Sequence, residues 1–258
     1  MPHAQFALVA LVGIMAGAVN ALAGGGTLVC FPVLLAAGIS PLAANVTCTI
    51  ALCPGYLGAT YAQRSDLQGQ RRRMYLLLPL CVVGGLLGAA LLLHTGEHRF
   101  TEIVPWLLLL ACALLASQER LRAALAKRNR SAADPTAAPS LPLWLLPLVV
   151  LGAAYGGFFG AGMSVILLAL LGLALVDTLP RLNALKQGMA LATNGAAALW
   201  LGIRATVDWR VVAILAVSAL LGGVWGGRLA RRLSPQWLRR VVVLLGVAVA
   251  AGYLWRAR

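Results

Sequence analysis

Two glycine clusters interrupt apolar stretches of this sequence, one in each half, and polar residues lie beside them. Each glycine costs a helix interior roughly 1 kcal/mol relative to alanine, so an apolar helix should not continue through such a cluster. Non-helical backbone at membrane depth is tolerated only where it is buried in protein or lines a cavity. The residues at the two breaks are Asn20, Gly24, Gly25, Gly26, Thr27, Gly160, Gly162, Met163 and Ser164.

The chemistry that such breaks favour is anion binding. A helix that starts after a break presents free N–H groups and the positive end of its dipole. We expect two such starts, near Thr27 and Met163, to face each other across a pseudo-two-fold axis. Side chains from two polar spans would add neutral donors and one cation to this site. These side chains are Asn45, Thr47, Thr193, Asn194 and Lys186.

Plainer interpretations of the same residue types are also open. Glycines in membrane helices often serve close helix packing, as we expect for Gly84, Gly88, Gly222 and Gly226. Asn and Thr side chains in a span can simply bond neighbouring helices. Lys186 lies about two turns from a helix start, so its side chain can also extend to the membrane interface.

The elements that must position these residues are apolar helices. Of 258 residues, 61% are hydrophobic and 11% are charged, whereas a soluble domain carries about a quarter charged residues. Apolar stretches of about 17–25 residues recur along the chain, each long enough to cross a bilayer as a helix. The net charge of +14 comes from basic residues in short loops, where it favours anionic lipid headgroups. We therefore expect the lipid bilayer as a partner, and no nucleic acid.

The pattern predicts an all-α polytopic membrane protein with two inverted repeats and about eight transmembrane helices. Residues 1–118 form the first membrane repeat, and residues 141–258 form the second. Residues 119–140 form a basic, Pro/Ala-rich cytoplasmic linker, which we expect to be flexible. The first span lacks a basic region before it, so we expect it to be retained rather than cleaved as a signal peptide.

The distribution of charge predicts how the halves are oriented. The basic loops at 64–73, 120–130 and 228–240 should all be cytoplasmic. The second broken segment must then be either a re-entrant hairpin or a pair of short helices, because the crossings between the last two loops must be even in number. The same argument for the first half places both chain termini outside. The two halves then begin on opposite sides, as inverted repeats do.

Carboxylates and metal-ligand spacings are missing from the apolar spans. All seven Asp and Glu residues fall in loops or at span ends, so no buried carboxylate is available to a proton relay or a cationic substrate. The His and Cys residues show no metal-ligand spacing, and no nucleophile–base pair is evident. The sequence therefore favours an anionic substrate and predicts no enzyme activity, no cofactor and no metal.

Four motifs resemble the sulfite exporter TauE/SafE family of membrane transporters. They are Gly-Gly-Gly-Thr-Leu-Val-Cys-Phe-Pro (24–32), Ala-Asn-Val-Thr (44–47), Tyr-Gly-Gly-Phe-Phe-Gly-Ala-Gly-Met (155–163) and Lys-Gln-Gly-Met-Ala-Leu-Ala-Thr-Asn (186–194). The resemblance covers nearly the whole chain and implies export or permeation of small sulfur-containing anions, such as sulfite, sulfoacetate or other sulfonates. The second glycine motif departs from the family pattern at Ala161, which replaces a glycine.

We therefore expect a secondary transporter of a small anion, a sulfur oxyanion or organic sulfonate, that works by alternating access in a bacterial-type inner membrane. Two alternatives stay open. One is an anion channel, since backbone-lined filters also use broken segments. The other is a non-transporting membrane scaffold or subunit, in which the glycines serve packing. A homo-oligomer is compatible with the sequence, which does not decide the oligomeric state, the coupling ion or the transport direction.

Overall fold

The structure is a computed structural model that describes residues 3–23, 25–131, 141–229 and 235–256. All regular structure in these ranges is helical, which confirms the all-α prediction. The helices are α1 (His3–Ala23), α2 (Gly26–Ala36), α3 (Pro41–Ala62), α4 (Arg71–Ser131), α5 (Leu145–Phe158), α6 (Met163–Ala174), α7 (Leu179–Arg204), α8 (Trp209–Leu229) and α9 (Pro235–Arg256).

Two stretches of the described chain are helices long and apolar enough to cross a bilayer, Pro41–Ala62 and Arg71–Arg128. Shorter apolar helical stretches accompany them. These are Ala7–Asn20, Gly26–Ala36, Leu145–Phe158, Met163–Ala174, Trp209–Gly222 and Arg240–Tyr253. The expected count of about eight crossings therefore stays a prediction.

Helix α4 folds back on itself at Gly96, whose backbone angles (φ 69°, ψ 171°) are not helical. At the start of α4, Arg73 pairs with Asp177, which follows α6. Near the other end of α4, Arg128 donates a hydrogen bond to the carbonyl of Gly172 in the last turn of α6. Both ends of α4 thus lie beside the end of α6, and its two arms are antiparallel. We call this end of the molecule, marked by Arg73, Arg128 and Asp177, the basic end.

The expected linker at 119–140 begins as helix. Residues 119–131 belong to α4, and residues 132–140 lie outside the described ranges. The expectation of a flexible segment is therefore wrong for its first part. Ala, Leu, Arg and Lys dominate that part, and all four have high helix propensity. Arg128 also fixes this arm by donating to the carbonyls of Gly172 and Leu173, at 2.8 and 2.9 Å. The boundaries of the two repeats stay a prediction.

Helices α3 and α7 run antiparallel between the two ends of the molecule. At the basic end, Asn183 Nδ2 donates to Gln63 Oε1 at 2.7 Å, which joins the start of α7 to the C-cap of α3. At the opposite end, Glu97 accepts hydrogen bonds from Ser40 Oγ and from the N–H of Leu42, at 3.1 and 3.2 Å. A carboxylate is favourable there because the free N–H groups of a helix start carry partial positive charge.

Glycines allow the first arm of α4 to pack closely on α5. A Cβ added to Gly84 would lie 2.6 Å from the carbonyl oxygen of Val150, and one added to Gly88 would overlap the carbonyl oxygen of Ala154. Small residues at such contacts let two backbones approach in a membrane. The contacts advance in the same direction along both helices, so α4 and α5 are parallel here.

Helices α1 and α8 make the same kind of contact. A Cβ on Gly13 would lie 3.1 Å from the carbonyl oxygen of Leu215, and one on Gly17 would overlap that of Ala219. Gly222 in turn allows close approach of the α1 backbone. Helices α1 and α8 are therefore also parallel, and each of these pairs joins a helix of one half of the chain to a helix of the other.

These directions make both broken segments hairpins. Helix α5 starts at the basic end with α4, and α6 returns to that end beside Arg128. Helix α1 starts at the opposite end with α8, and α2 leads back there to the start of α3 beside Glu97. The α1–α2 and α5–α6 hairpins thus enter the molecule from opposite ends. This geometry agrees with the predicted even number of crossings, while the depth of each hairpin in a membrane stays a prediction.

Candidate binding site at the helix breaks

Helix α2 begins within the first glycine cluster, as expected. Gly25 is its N-cap residue and makes no side-chain cap, and the N–H of Leu28 donates to the Gly25 carbonyl at 3.0 Å. The first N–H groups of any helix lack an intrahelical partner, and here they belong to Gly26 and Thr27. The Thr27 side chain is buried, with 7% exposure. Gly24, also predicted at the site, lies outside the described residues.

Asn20 and Gly26 hold the first hairpin together. A Cβ on Gly26 would lie 2.7 Å from the carbonyl oxygen of Ala16 and 2.9 Å from Asn20 Cβ, so glycine is required for α2 to pack against α1. Asn20 is buried, its Nδ2 faces Gly55 of α3, and its Oδ1 has no hydrogen-bond partner within the described chain. Asn20 therefore contributes an unused acceptor close to the break.

The second break has a different backbone. Gly160 (φ 78°) and Gly162 (φ 83°) both lie in the left-handed region, where L-residues other than glycine are strained. Gly162 is the N-cap residue of α6 and packs against α4, with a Cβ position 3.1 Å from Leu114 Cδ1. Gly162 thus has a backbone and packing role rather than facing the other break. Gly162 matches Gly25, because each is the N-cap residue of the helix that follows its glycine cluster.

The two breaks meet at Gly160. A Cβ on Gly160 would lie 3.9 Å from Thr27 Oγ1 and 4.0 Å from Asn194 Oδ1. Beside them, the rings of Phe31 and Phe159 pack edge to face with 5.4 Å between centroids. Residues from α2, from the second break and from the middle of α7 therefore lie close to one point, while the binding role of Thr27, Gly160 and Asn194 stays a prediction.

Met163, Ser164 and Thr193 adjoin Gly162 and Asn194 along the chain. Gly156 leaves room for the Met163 side chain, and its Cβ position would be 3.1 Å from Thr193 Cγ2. Ser164 and Thr193 are buried, with 1% and 0% exposure. The Thr193 hydroxyl interacts with the thiol of Cys81, whereas that of Ser164 has no hydrogen-bond partner within the described residues. Buried polar groups normally find a partner, so the Ser164 hydroxyl is a candidate ligand group.

Asn45 and Thr47 of α3 behave differently from each other. Asn45 Nδ2 donates to the carbonyl of Phe158 at 2.8 Å and so ties α3 to the last turn of α5, just before the second break. Its Oδ1 is buried without a partner among the described residues. Thr47 is buried in the same helix, but no described contact brings its hydroxyl to the break. Asn45 supports the site, whereas the predicted role of Thr47 is not supported by a contact.

Lys186 lies apart from the break. It is eight residues before Asn194 in α7, about 12 Å along the helix axis. Its side chain is 2% exposed, and its Nζ donates to Asn183 Oδ1 at 2.9 Å. Asn183 in turn donates to Gln63. The structure therefore places Lys186 inside the protein, toward the basic end, rather than at the protein surface as the alternative interpretation would have it.

The sequence did not predict the polar network at the basic end, which joins α4 and the residues before it to the start of α7. Asp177 pairs with Arg73 at 2.5 Å and with Arg181 at 2.9 Å. Gln70 Nε2 donates to the carbonyl of Arg181 at 3.1 Å, and Arg181 donates to the carbonyl of Gln68 at 3.0 Å. Three of these four contacts link residues more than one hundred positions apart. The one local signal was the spacing of Asp177 and Arg181, four residues apart at a helix start.

The arrangement at the break suits a small hydrogen-bond acceptor. It offers N–H groups at two helix starts and the hydroxyls of Thr27, Ser164 and Thr193. Asn194 turns its Oδ1 toward Gly160, and its Nδ2 donates to the carbonyl of Ala190 at 2.9 Å. A positive helix end favours a negative ligand. Within the described residues no group of three His, Cys, Asp or Glu side chains could hold a metal ion.

Comparison with known proteins agrees with the membrane character of the chain. The family model described as Sulfite exporter TauE/SafE matches residues 9–253. A protein of Haemophilus influenzae named "Probable membrane transporter protein" is 26% identical over 249 residues, 95% of this chain and 92% of that protein. "Probable membrane transporter protein YfcA" of Escherichia coli strain K12 is 25% identical over 247 residues, 95% of this chain and 87% of that protein.

A third relative comes from Sinorhizobium sp. and is named "Probable membrane transporter protein ORF9". It is 27% identical over 247 residues, 93% of this chain and 88% of the relative. No solved structure matches the chain significantly. These similarities extend over both hairpins and over all the helices that carry the site.

Proposed function

Because this chain belongs to the sulfite exporter TauE/SafE family, we propose that it is a secondary transporter of a small sulfur oxyanion or organic sulfonate. The chain is a membrane protein, and its relatives are named as membrane transporters rather than as enzymes. Its substrate is proposed from the family description together with the donor chemistry at the break. We place the transporter in a bacterial-type inner membrane, with several crossings.

One observation carries this proposal: Gly160 of the second break lies against Thr27 of the first and against Asn194 of α7. The point where they meet is lined by hydroxyl and amide groups inside an otherwise apolar interior. One of the nearby hydroxyls, that of Ser164, has no partner among the described residues. An anion held there would accept hydrogen bonds from both halves of the chain, so its binding would respond to their relative position.

The halves are proposed to be inverted repeats. The first glycine of the Gly84-Gly85 pair packs on the carbonyl of Val150, and the first of the Gly222-Gly223 pair packs on that of Ile14. The two broken hairpins also enter from opposite ends. Transporters built from inverted repeats hold substrate where the repeats meet and expose it alternately to each side. Alternating access is therefore the mechanism that this layout supports.

The alternative function, an anion channel, would differ from a transporter in its flux kinetics. A channel needs a continuous path through the protein. The ion pairs of Asp177 with Arg73 and Arg181 join α4 to the start of α7 at the basic end, and we propose that they belong to a transporter that seals one end at a time. A homo-oligomer is compatible with either function and is not required by the site.

The test is flux into proteoliposomes that contain the purified protein, with sulfite, sulfoacetate, sulfate and acetate supplied separately. We expect saturable flux of at least one sulfur anion, accelerated by the same anion on the other side, and little flux of acetate. Linear, non-saturating flux without counterflow would identify a channel. A lack of flux for all four anions by a well-folded protein would refute the proposed function.

Thr193 offers the matched variants for this test. Thr193→Val removes a buried hydroxyl while keeping the shape of the side chain, and we expect it to weaken the apparent affinity for the anion. The control is Thr95→Val, because the Thr95 hydroxyl donates to Leu91 within its own helix and is exposed. If Thr193→Val and Thr95→Val show the same flux kinetics, Thr193 does not belong to the binding site.

A further inference from the structure

The Lys186 side chain is a buried cation without a carboxylate partner. Its Nζ makes one described hydrogen bond, to the neutral Asn183 Oδ1. Two nearby or exposed carboxylates are engaged by other groups, Asp177 by Arg73 and Arg181, and Glu102 by His98. An ammonium group has three donors, and burial of a charge is unfavourable unless it is paired. Lys186 therefore has both the capacity and the electrostatic need for an anion.

The other charge that acts on Lys186 has the same sign. Arg122, on the second arm of α4, lies close enough for its positive charge to repel that of Lys186. Asp177, the nearest acid in the chain before Lys186, is already engaged by Arg73 and Arg181. Lys186 and Arg122 thus bring two basic side chains, from α7 and α4, into one region of the protein.

The region of Lys186 and Arg122 is separate from the break. Lys186 and Asn194 are about 12 Å apart along the axis of α7. Side chains on a helix point back toward its start, and the bond from Lys186 to Asn183 shows that this one does so. The ammonium group is therefore directed toward the basic end, away from Thr27 and Gly160. One small anion cannot contact both places at once.

We propose that Lys186 forms a second binding station for a small oxyanion, between the helix breaks and the basic end. This inference rests on the proposed function and adds to it a second position of the same transported anion. The station lies beneath the bridge from Asn183 to Gln63, which joins α7 to α3. An anion that moves between the breaks and the basic end would displace Asn183 from Lys186 and supply the missing countercharge.

The experiment is equilibrium binding of radiolabelled sulfite to the purified full chain in detergent, with thermal unfolding in the same buffer. We expect two sulfite ions bound per wild-type chain and one per Lys186→Met chain. Lys186→Arg keeps a cation and should retain both. The matched control is Lys127→Met, since Lys127 is the other lysine of the sequence and lies on the exposed surface of α4.

Thermal unfolding separates loss of binding from loss of fold. Because Lys186→Met removes an unpaired buried charge, its unfolding temperature should be at least as high as that of the wild type. Added sulfite should raise this temperature less than it does for the wild type. If it does not purify as a folded protein, Lys186→Gln takes its place. Two bound ions in a folded Lys186→Met or Lys186→Gln protein, or one in the wild type, would overturn the second station and leave the proposed function standing. Absence of both binding and flux in the wild type would overturn both.

Discussion

Nη1 of Arg73 lies 2.5 Å from Oδ2 of Asp177, and this ion pair joins the start of α4 to the segment just before α7. Both side chains are largely buried, with 16% and 12% exposure. Asp177 Oδ1 also accepts hydrogen bonds from Arg181 Nε at 2.9 Å and from the N–H of Thr178 at 2.8 Å. One carboxylate thus holds the start of α7 against the first half of the chain.

Replacing this carboxylate should loosen the basic end. We expect Asp177→Asn to lower the free energy of unfolding by about 1.5–3 kcal/mol, because it weakens charge-assisted bonds to two arginines. The measurement is the unfolding midpoint in detergent, and Arg73→Gln with the double variant gives the coupling energy. Glu102→Gln is the control, since Glu102 faces only the exposed His98 at 3.7 Å and such pairs contribute about 0–1 kcal/mol. If Asp177→Asn and Glu102→Gln lower the free energy of unfolding by the same amount, the role given to Asp177 is contradicted.

Gly162 should tolerate no side chain. Its φ of +83° is strained for alanine, which costs roughly 1–2 kcal/mol, and the new Cβ would press on Leu114. We expect Gly162→Ala to lower stability by at least that amount and to reduce flux by shifting the start of α6. Gly195→Ala is the control, because nothing lies within 4 Å of its Cβ position and its backbone is helical. A Gly162→Ala protein with normal stability and normal flux would show that this backbone conformation is dispensable.

The parts of the fold that sequence could predict are those with a local signature. Helix breaks at Gly25 and Gly162 follow from glycine clusters inside apolar sequence, and the start of α7 follows from Thr178 with Pro180. The sequence spacing of Lys186 and Asn194 also predicts that they lie apart, since eight residues of helix span about 12 Å. The prediction of a linker was wrong for residues 119–131 because their many basic residues are typical of a loop, whereas the same residue types have high helix propensity.

The parts that sequence could not predict depend on contacts between distant residues. Asn45 bonds the carbonyl of Phe158, 113 positions away, and Asn183 bonds Gln63, 120 positions away. Both asparagines were recognisable as polar residues in a span, but their partners are set by how α3 packs on α5 and α7. Two similar residues, Asn45 and Thr47, therefore have different surroundings, which no local pattern distinguishes.

The Thr27 hydroxyl should contribute to anion affinity. Thr27→Val keeps the shape of the side chain and removes its donor, so we expect a loss of about 1.5–3 kcal/mol, or about 10- to 150-fold in apparent affinity, if the hydroxyl bonds a charged ligand. The measurement is the concentration dependence of sulfite flux. In Thr60→Val the lost hydroxyl bonds Tyr56 within α3, and less than a twofold change is expected. Unchanged affinity in Thr27→Val would place the anion away from α2.

Asn45 should act on the site through the backbone of α5. In Asn45→Leu the Phe158 carbonyl loses the amide that reaches it at 2.8 Å. Hydrogen bonds between membrane helices contribute about 0.6 kcal/mol on average and up to about 1.7 kcal/mol, so we expect a loss of stability in that range. Thr49→Val serves as the control, because the Thr49 hydroxyl donates to the Asn45 carbonyl within the same helix.

Flux decides whether Asn45 also contacts the anion. If Asn45 only positions α5, Asn45→Leu should lower the maximal rate of flux and the unfolding midpoint together, with little change in apparent affinity. A normal midpoint combined with a large loss of apparent affinity would contradict this, since the Asn45 side chain would then be a direct ligand. The first outcome is the one we expect, because the Nδ2 donor of Asn45 is already used by Phe158 and its unpartnered Oδ1 would repel an anion.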